Sequence, residues 1–360
     1  AIGRGALQEN TTADDNVAVG RQALFANTTG EDNVAIGNFA LDANTTASNN
    51  TAVGRNAMGA NTTGTDNVAI GVNALDANTT GNYLVAIGNN TYTDFSGNDW
   101  GVAVGHGAMK SATTAGNCTA VGPQALEDCT SGHNNTAIGM NASRNVTTGQ
   151  SNTSVGVDAL EDTTEGQFNS VLGSNAGANI TTGDNNSCIG YQAGKAGSPG
   201  GTLTTADNRI VLGNGNITTL SCEVSISGQS DERDKTDFTN LDIGLDFVKQ
   251  MKPYTYKWDK RHKYVDWDKN PDTDLNSITH DGTHKVDYLD IGFKAQEIEA
   301  LEVAAGYKKE DKTNLVVALS DDGTSYSLKY ERMIPILVKA LQEADAKIEA
   351  LTTRITTLEG

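Results

Sequence analysis

Side chains able to do chemistry are few in this chain and unevenly placed. Tyr83, Tyr92, Phe95 and Trp100 fall within eighteen residues, four of the chain's twenty aromatics. Flat rings cover the apolar faces of sugars while neighbouring polar groups hydrogen-bond, so the cluster is a candidate ligand patch. The same rings could instead cap a wide segment or fill a seam between subunits. Asp15, Asp32, Asp66 and Asp184 recur in one part of a repeat and could line up as a carboxylate ladder for calcium, or simply form a solvated turn face. His106 and His133 have no carboxylate or cysteine at ligand spacing, and Cys118, Cys129, Cys188 and Cys222 show no CxxC pattern. No metal and no cofactor are therefore expected. The cysteines read as free, buried small residues, with a Cys118 to Cys129 bridge as the alternative.

The elements that must position these groups are set by a period. Glycine recurs every seventeen residues from Gly3 to Gly190, twelve glycines separated by eleven equal intervals. Fixed-period self-similarity is the signature of stacked coils. Counting each glycine as zero, Ala stands at +3, Leu or Met at +4, Asn-Thr-Thr-Gly at +7 to +10, Asn at +13, Ala at +15 and Val or Ile at +16. The three residues before each glycine alternate branched, tiny, branched, as in Val34-Ala35-Ile36, which predicts a short strand. Asn-Thr-Thr-Gly supplies the turn. Coils stacked at ~4.8 Å should bury the Val/Ile row between neighbours, and eleven steps give a stack ~50 Å long. The tiny Ala/Gly face would let the backbone of an identical chain approach. After Gly190 the next equivalent, Gly213, lies 23 residues on. The roll is expected to end at that insertion.

Bulk properties narrow the classes. The net charge of −19 divides as −12 over residues 1–229 (7 Lys/Arg against 19 Asp/Glu) and −7 over 230–360 (19 against 26). Neither part offers the clustered cations that nucleic acid requires, and no apolar run approaches the ~20 residues needed to span a bilayer. The C-terminal residues Ile334, Leu337, Leu341, Ala344, Ile348, Leu351, Ile355 and Leu358 are spaced alternately by three and four, a coiled-coil seam. Trp258, Trp267 and the basic run from Lys257 to Tyr264 read as core and solvated loop.

Two resemblances follow from these residues. The Ala-Ile-Gly coils over residues 1 to about 194 resemble the heads of trimeric autotransporter adhesins and the shafts of phage tail fibres, which implies a trimeric parallel β-roll. Beyond them, Ser230-Asp231-Glu232-Arg233-Asp234-Lys235 resembles the start of the intramolecular chaperone, or auto-cleavage, domain that ends phage tail spikes and fibres. Leu245 to Tyr256, Ile291 to Glu299, Tyr326 to Tyr330 and Ile334 to Glu343 continue the likeness in order. The resemblance implies Ser230 as nucleophile, Lys235 as base, and a scissile bond between Gln229 and Ser230. The chemistry is coherent: a serine hydroxyl attacks once a base takes its proton, and a lysine serves when burial favours its neutral amine. Asp234 departs from the apolar residue common in the family, and a carboxylate there favours the inactive ammonium form. The bland alternative makes Ser230 and Lys235 ordinary solvated residues at the start of a folding domain.

The expected chain is mainly β: a trimeric parallel β-roll or solenoid of seventeen-residue coils (1–194), a neck (195–229), an α+β chaperone and auto-peptidase domain (230–332) and a coiled-coil helix (333–360). The expected function is that of a phage tail-fibre protein, assembled in the host cytoplasm and carried on the virion. Its expected partners are two further copies of itself and a host cell-surface glycan or protein receptor, with no nucleic acid and no membrane insertion. A bacterial trimeric adhesin fragment with an uncleaved C-terminus is the alternative, although the C-terminus lacks the ~10-residue alternating strands of an anchor barrel. A polysaccharide-degrading spike would need carboxylates paired across a cleft, which the sequence does not pair.

Overall fold

A computed structural model describes the chain except residues 97–98, 218, 222–229, 267–269, 271–272, 312, 321–322 and 360. The chain divides into two compact units, Ala1–Ile217 and Thr218–Gly360. Cys222, Trp267 and the Gln229 side of the scissile bond lie outside the described residues.

In the first unit the seventeen-residue period becomes a parallel solenoid. Strands β1 (Val17–Val19) through β12 (Ile210–Leu212) form one twelve-stranded sheet in sequence order. Each residue pairs with its equivalent one coil on, as Val34 with Thr51 and Ala35 with Ala52. The glycine ladder is what allows the coils to close up. Gly54 has φ +142°, and a Cβ there would lie 2.2 Å from the carbonyl oxygen of Gly71 in the next coil, so only glycine fits.

The strand faces are the reverse of the sequence expectation. The Ala row points inward and is fully buried at Ala35, Ala52, Ala69 and Ala86, whereas the branched row points outward, leaving Ile36 and Ile70 about two-fifths exposed (41% and 40%). The reason is geometric: a seventeen-residue coil encloses a lumen too narrow for two rows of branched side chains. Alanine therefore fills the strand side, and Leu24, Leu41, Met58 and Leu75 at +4 fill the opposite side. The outward Val/Ile ladder replaces the Ala/Gly face as the surface available to other chains.

Asparagines close the ends of this core. Asn33 and Asn44 both donate to the Ala47 carbonyl, at 2.8 and 3.0 Å, and Asn44 also donates to Asn27 Oδ1 at 2.9 Å. Asn50 and Asn61 repeat the arrangement on the Gly64 carbonyl. Each amide satisfies backbone groups that an enclosed turn would otherwise strand. The six-residue insertion does not end the stack. Ser187–Ile189 (β11) pairs with β12 in parallel, Ser187 opposite Ile210, so stacking runs one coil further than the sequence suggests. The extra residues loop out around Ser198, whose hydroxyl donates to the Lys195 carbonyl at 2.7 Å.

The second unit is small and mixed. Helix α1 (Leu245–Val248) is followed by strands β13 (Tyr254–Tyr256) and β14 (Asp290–Gly292), paired antiparallel. Next come helix α2 (Ala295–Ala304), a second antiparallel pair, β15 (Val317–Leu319) with β16 (Tyr326–Leu328), and the long helix α3 (Met333–Glu359). The core joins Ile243, Phe247, Val316, Met333 and Ile336. Glu343 on α3 accepts from the Leu245 backbone N–H at 2.8 Å, satisfying one of the open donors at the start of α1. Met333, Ile336 and Ala340 bury one side of α3, while Ile334, Leu337, Leu341, Ile348, Leu351, Ile355 and Leu358 of the heptad seam stay exposed.

Candidate functional site

Ser230 and Lys235 meet. The intervening residues Glu232–Asp234 form a single 3-10 turn, capped by Asp231, whose side chain accepts from the Arg233 backbone N–H at 2.9 Å. Lys235 closes the turn, its N–H donating to the Glu232 carbonyl at 3.1 Å. That tight turn brings side chains five residues apart together, and Lys235 Nζ donates to Ser230 Oγ at 2.6 Å and to the Ser230 carbonyl at 3.2 Å. The Arg233 guanidinium donates to both Asp231 carboxylate oxygens, and this hydrogen bonding holds the Asp231 carboxyl below its usual range. Asp231 and Arg233 thus shape the turn that brings Ser230 and Lys235 together, and aspartate opening such a turn is a recognisable capping signal. Within one chain Ser230 and Lys235 are both exposed, so the burial expected to favour a neutral lysine is not supplied by this chain alone.

The four aromatics separate into two pairs. Tyr92 and Phe95 are fully buried, edge to face with centroids 4.9 Å apart, and so are withdrawn from the ligand patch. Tyr92 occupies the +4 core slot held in most coils by Leu or Met, and Gly101 makes room for it, since a Cβ there would lie 2.2 Å from the Tyr92 hydroxyl. That hydroxyl has no hydrogen-bond partner among the described residues. Tyr83 and Trp100 behave oppositely: they stack, centroids 4.4 Å apart and planes 17° from parallel, and stay 48% and 59% exposed.

Both exposed rings sit at +12, where the backbone is left-handed in every coil (Tyr83 φ 58°, Trp100 φ 64°). Their ladder neighbours are Asp66 and Asn117, with φ 61° and 56°, residue types that tolerate this conformation through local hydrogen bonds. A left-handed non-glycine residue costs roughly 1–2 kcal/mol. At +4 burial of a leucine, worth ~1.5–3 kcal/mol, offsets the cost, whereas an exposed ring pair recovers only ~0.5–1.5 kcal/mol. Phe168, also at +12 and exposed, has Ser151 and Asn185 as its ladder neighbours.

The remaining candidates are structural. Cys118, Cys129 and Cys188 are free and buried. Cys118 and Cys129 stand at the +13 and +7 places of the asparagine pairs, and both thiols donate to the Gly132 carbonyl, at 3.3 and 3.5 Å. Hydrogen bonding to Cys118, together with burial, pushes the Cys129 thiol up, and burial pushes Cys188 up to about 11, so neither is a ready thiolate. Asp66 accepts from Asn49 at 3.1 Å. Asp184 lies one position before the +12 ladder and accepts from the Gln167 N–H at 2.7 Å. Among the described residues no group of three or more His, Cys, Asp or Glu side chains is placed to hold a metal ion, and no helix is long and apolar enough to cross a membrane.

Residues 230–307 match the family model of the chaperone of endosialidase. The match begins at Ser230 and covers the turn, α1, β13, β14 and α2, while the later landmarks from Tyr326 to Glu343 lie beyond it. No match was found among the curated proteins or the solved structures. With a parallel solenoid of seventeen-residue coils ahead of such a segment, the chain is similar to a tail fibre or tail spike that ends in an intramolecular chaperone.

Proposed function

We propose that this chain is a length of phage tail fibre, carried on the virion and facing the host, whose C-terminal unit trimerises the chain, sets its register and then cuts itself off before Ser230. Trimerisation is supported by two apolar surfaces left open in one chain, the outward Val/Ile ladder of the solenoid and the heptad seam of α3. Register is the physical need. Identical coils pair one step out almost as well as in step, so an aperiodic unit must align the three chains first.

The observation that carries the cleavage is the 2.6 Å contact from Lys235 Nζ to Ser230 Oγ at the first residue of the chaperone segment. Lys235, as the neutral amine, takes the Ser230 hydroxyl proton while Oγ bonds to the Gln229 carbonyl carbon. The C–N bond then breaks, the proton passes to the departing Ser230 amine, and water hydrolyses the resulting ester. Attack on an adjacent carbonyl needs little beyond orientation, and one turnover suffices. Two further copies of the chain supply the cover that a neutral lysine requires, so cleavage follows assembly. The shortened trimer is then held kinetically, having lost the unit that aligned it.

Intact mass and chain number of the purified protein test this. The wild type should give a fragment beginning at Ser230, and Ser230→Ala and Lys235→Ala should stay full length and trimeric. Asp234→Leu should cleave faster at neutral pH. A wild type that stays intact for days as a folded trimer would overturn the peptidase step and leave residues 230–360 as an attached chaperone.

A further inference from the structure

We infer that the first four coils carry a register code at the seam between copies of this chain, in which Arg4, Arg21 and Arg55 of one copy pair with Asp15, Asp32 and Asp66 of the next. The inference rests on the trimeric reading and adds which edge meets which. Two exposed rows flank the outward Val/Ile ladder. One stands at +1, just past each strand, and the other at +12, just before the following strand, as Asp15, Val17–Val19 and Arg21 show. In the first four coils the +1 row reads Arg4, Arg21, Asn38, Arg55 and the +12 row reads Asp15, Asp32, Asn49, Asp66. All of these side chains are exposed. Over the eleven coils from Gly3 to Gly173 every arginine of the first row has an aspartate eleven residues on, and every aspartate of the second row has its arginine. Both valines of the first row, Val72 and Val157, are likewise matched by a ring, Tyr83 and Phe168.

The match has no use inside one chain. The ladder of strands lies between the two rows, and among the described residues no ion pair joins them. The Arg21 guanidinium instead lies over the Phe39 ring, 4.8 Å from its centroid. Between chains the match has a use. Copies related by a rotation axis along the stack set the trailing edge of one chain's strands beside the leading edge of its neighbour's, so the two rows meet at every seam. Opposite charge selects that contact over like edges. Copies in step form three Arg–Asp pairs at each seam, whereas a slip of one coil in either direction leaves one and sets Arg55 against Tyr83 or Asn49. Exposed ion pairs hold little energy singly, but a slip loses them at every seam together.

The test joins the two edges covalently in the full-length protein. In Arg21→Lys a water-soluble carbodiimide condenses the new amine with a carboxylate in direct contact. Peptide mass spectrometry on assemblies of mixed unlabelled and isotope-labelled chains then reads which residue, and which chain, was joined. Linkage to Asp32 of a different chain, lost when Asp32→Asn is added with the melting temperature unchanged, supports the code. Linkage within one chain, linkage chiefly to Asp15 or Asp66, or no linkage in a protein that is still trimeric overturns it. As a second measure Arg21→Glu, which reverses the charge at every seam, should weaken association about tenfold, and adding Asp32→Lys should recover most of that loss. Unchanged association of Arg21→Glu overturns the code, and loss of heparin binding in that variant alone would give the arginines to an anionic ligand instead. A wild type that sediments as single chains would overturn the trimeric reading itself, and the chain number is measured before any linkage.

Discussion

The solenoid and the C-terminal unit hold themselves together by opposite means. In the solenoid each contact is repeated: the Asn33 and Asn44 bonds to one carbonyl recur at Asn50 and Asn61, and strand pairing advances by the same step from coil to coil. In the C-terminal unit the ties occur once each. Tyr254 donates to Glu297, Glu343 caps α1, and Trp258 donates to Asp290. Repetition gives stability without position, and unique contacts give position with little buried mass. A chain that must align with copies of itself needs both. The irregular coils partly label the stack, since Tyr92 with Gly101, Cys118 with Cys129, and Ser143 with Ser154 at 2.8 Å each replace a repeated contact by a local one.

Four substitutions probe this contrast, beginning with the largest effect. Leu341→Asp places a carboxylate on the exposed seam of α3, where burial against partner helices would cost on the order of several kcal/mol. Sedimentation equilibrium should show trimers giving way to single chains, and unchanged trimers would move the assembly surface elsewhere. Next, Gly71→Ala and Gly282→Ala compare the two units directly. Both glycines have positive φ, but a Cβ at Gly71 would lie 2.2 Å from the Gly88 carbonyl oxygen, whereas among the described residues nothing lies within 4 Å of one at Gly282. Gly71→Ala should cost overpacking of about 1–3 kcal/mol on top of the backbone term, and Gly282→Ala the backbone term alone. Equal losses in denaturant unfolding would mean that the coils can spread. The smallest effect is expected at Tyr92→Phe. Removing a buried hydroxyl that has no partner among the described residues should leave the protein as stable or up to ~1 kcal/mol more stable, and a clear loss of stability would reveal a bond to the phenol.

Much of this was legible in the chain, but not all of it from the same kind of signal. The glycine spacing and the branched, tiny, branched triplets predict the solenoid and its strands, and Val34–Ile36 and Thr51–Val53 form as expected. Alternation shows that the two strand faces differ without showing which one is inside. That depends on lumen width, a property of the closed coil, and the faces came out reversed. The aromatic cluster was visible by composition, yet composition merged two pairs that the repeat separates. Tyr92 stands in the slot of Leu24 and Leu41, Tyr83 and Trp100 in that of Asp32 and Asp66, so the offset carried the division into core and surface. The meeting of Ser230 and Lys235 came from a resemblance, while the turn that produces it depends on how Asp231 and Arg233 pair.

The step-by-step pairing has a consequence for ancestry. A coil touches the one before it and the one after it through the same set of atoms, so a gene segment encoding seventeen residues can be duplicated or lost without creating a new interface. Each such event would lengthen or shorten the stack by one ~4.8 Å spacing and leave the aperiodic unit untouched. Lineages can therefore adjust reach by counting coils, while surface features such as the stacked Tyr83 and Trp100 arise on one or two neighbouring coils.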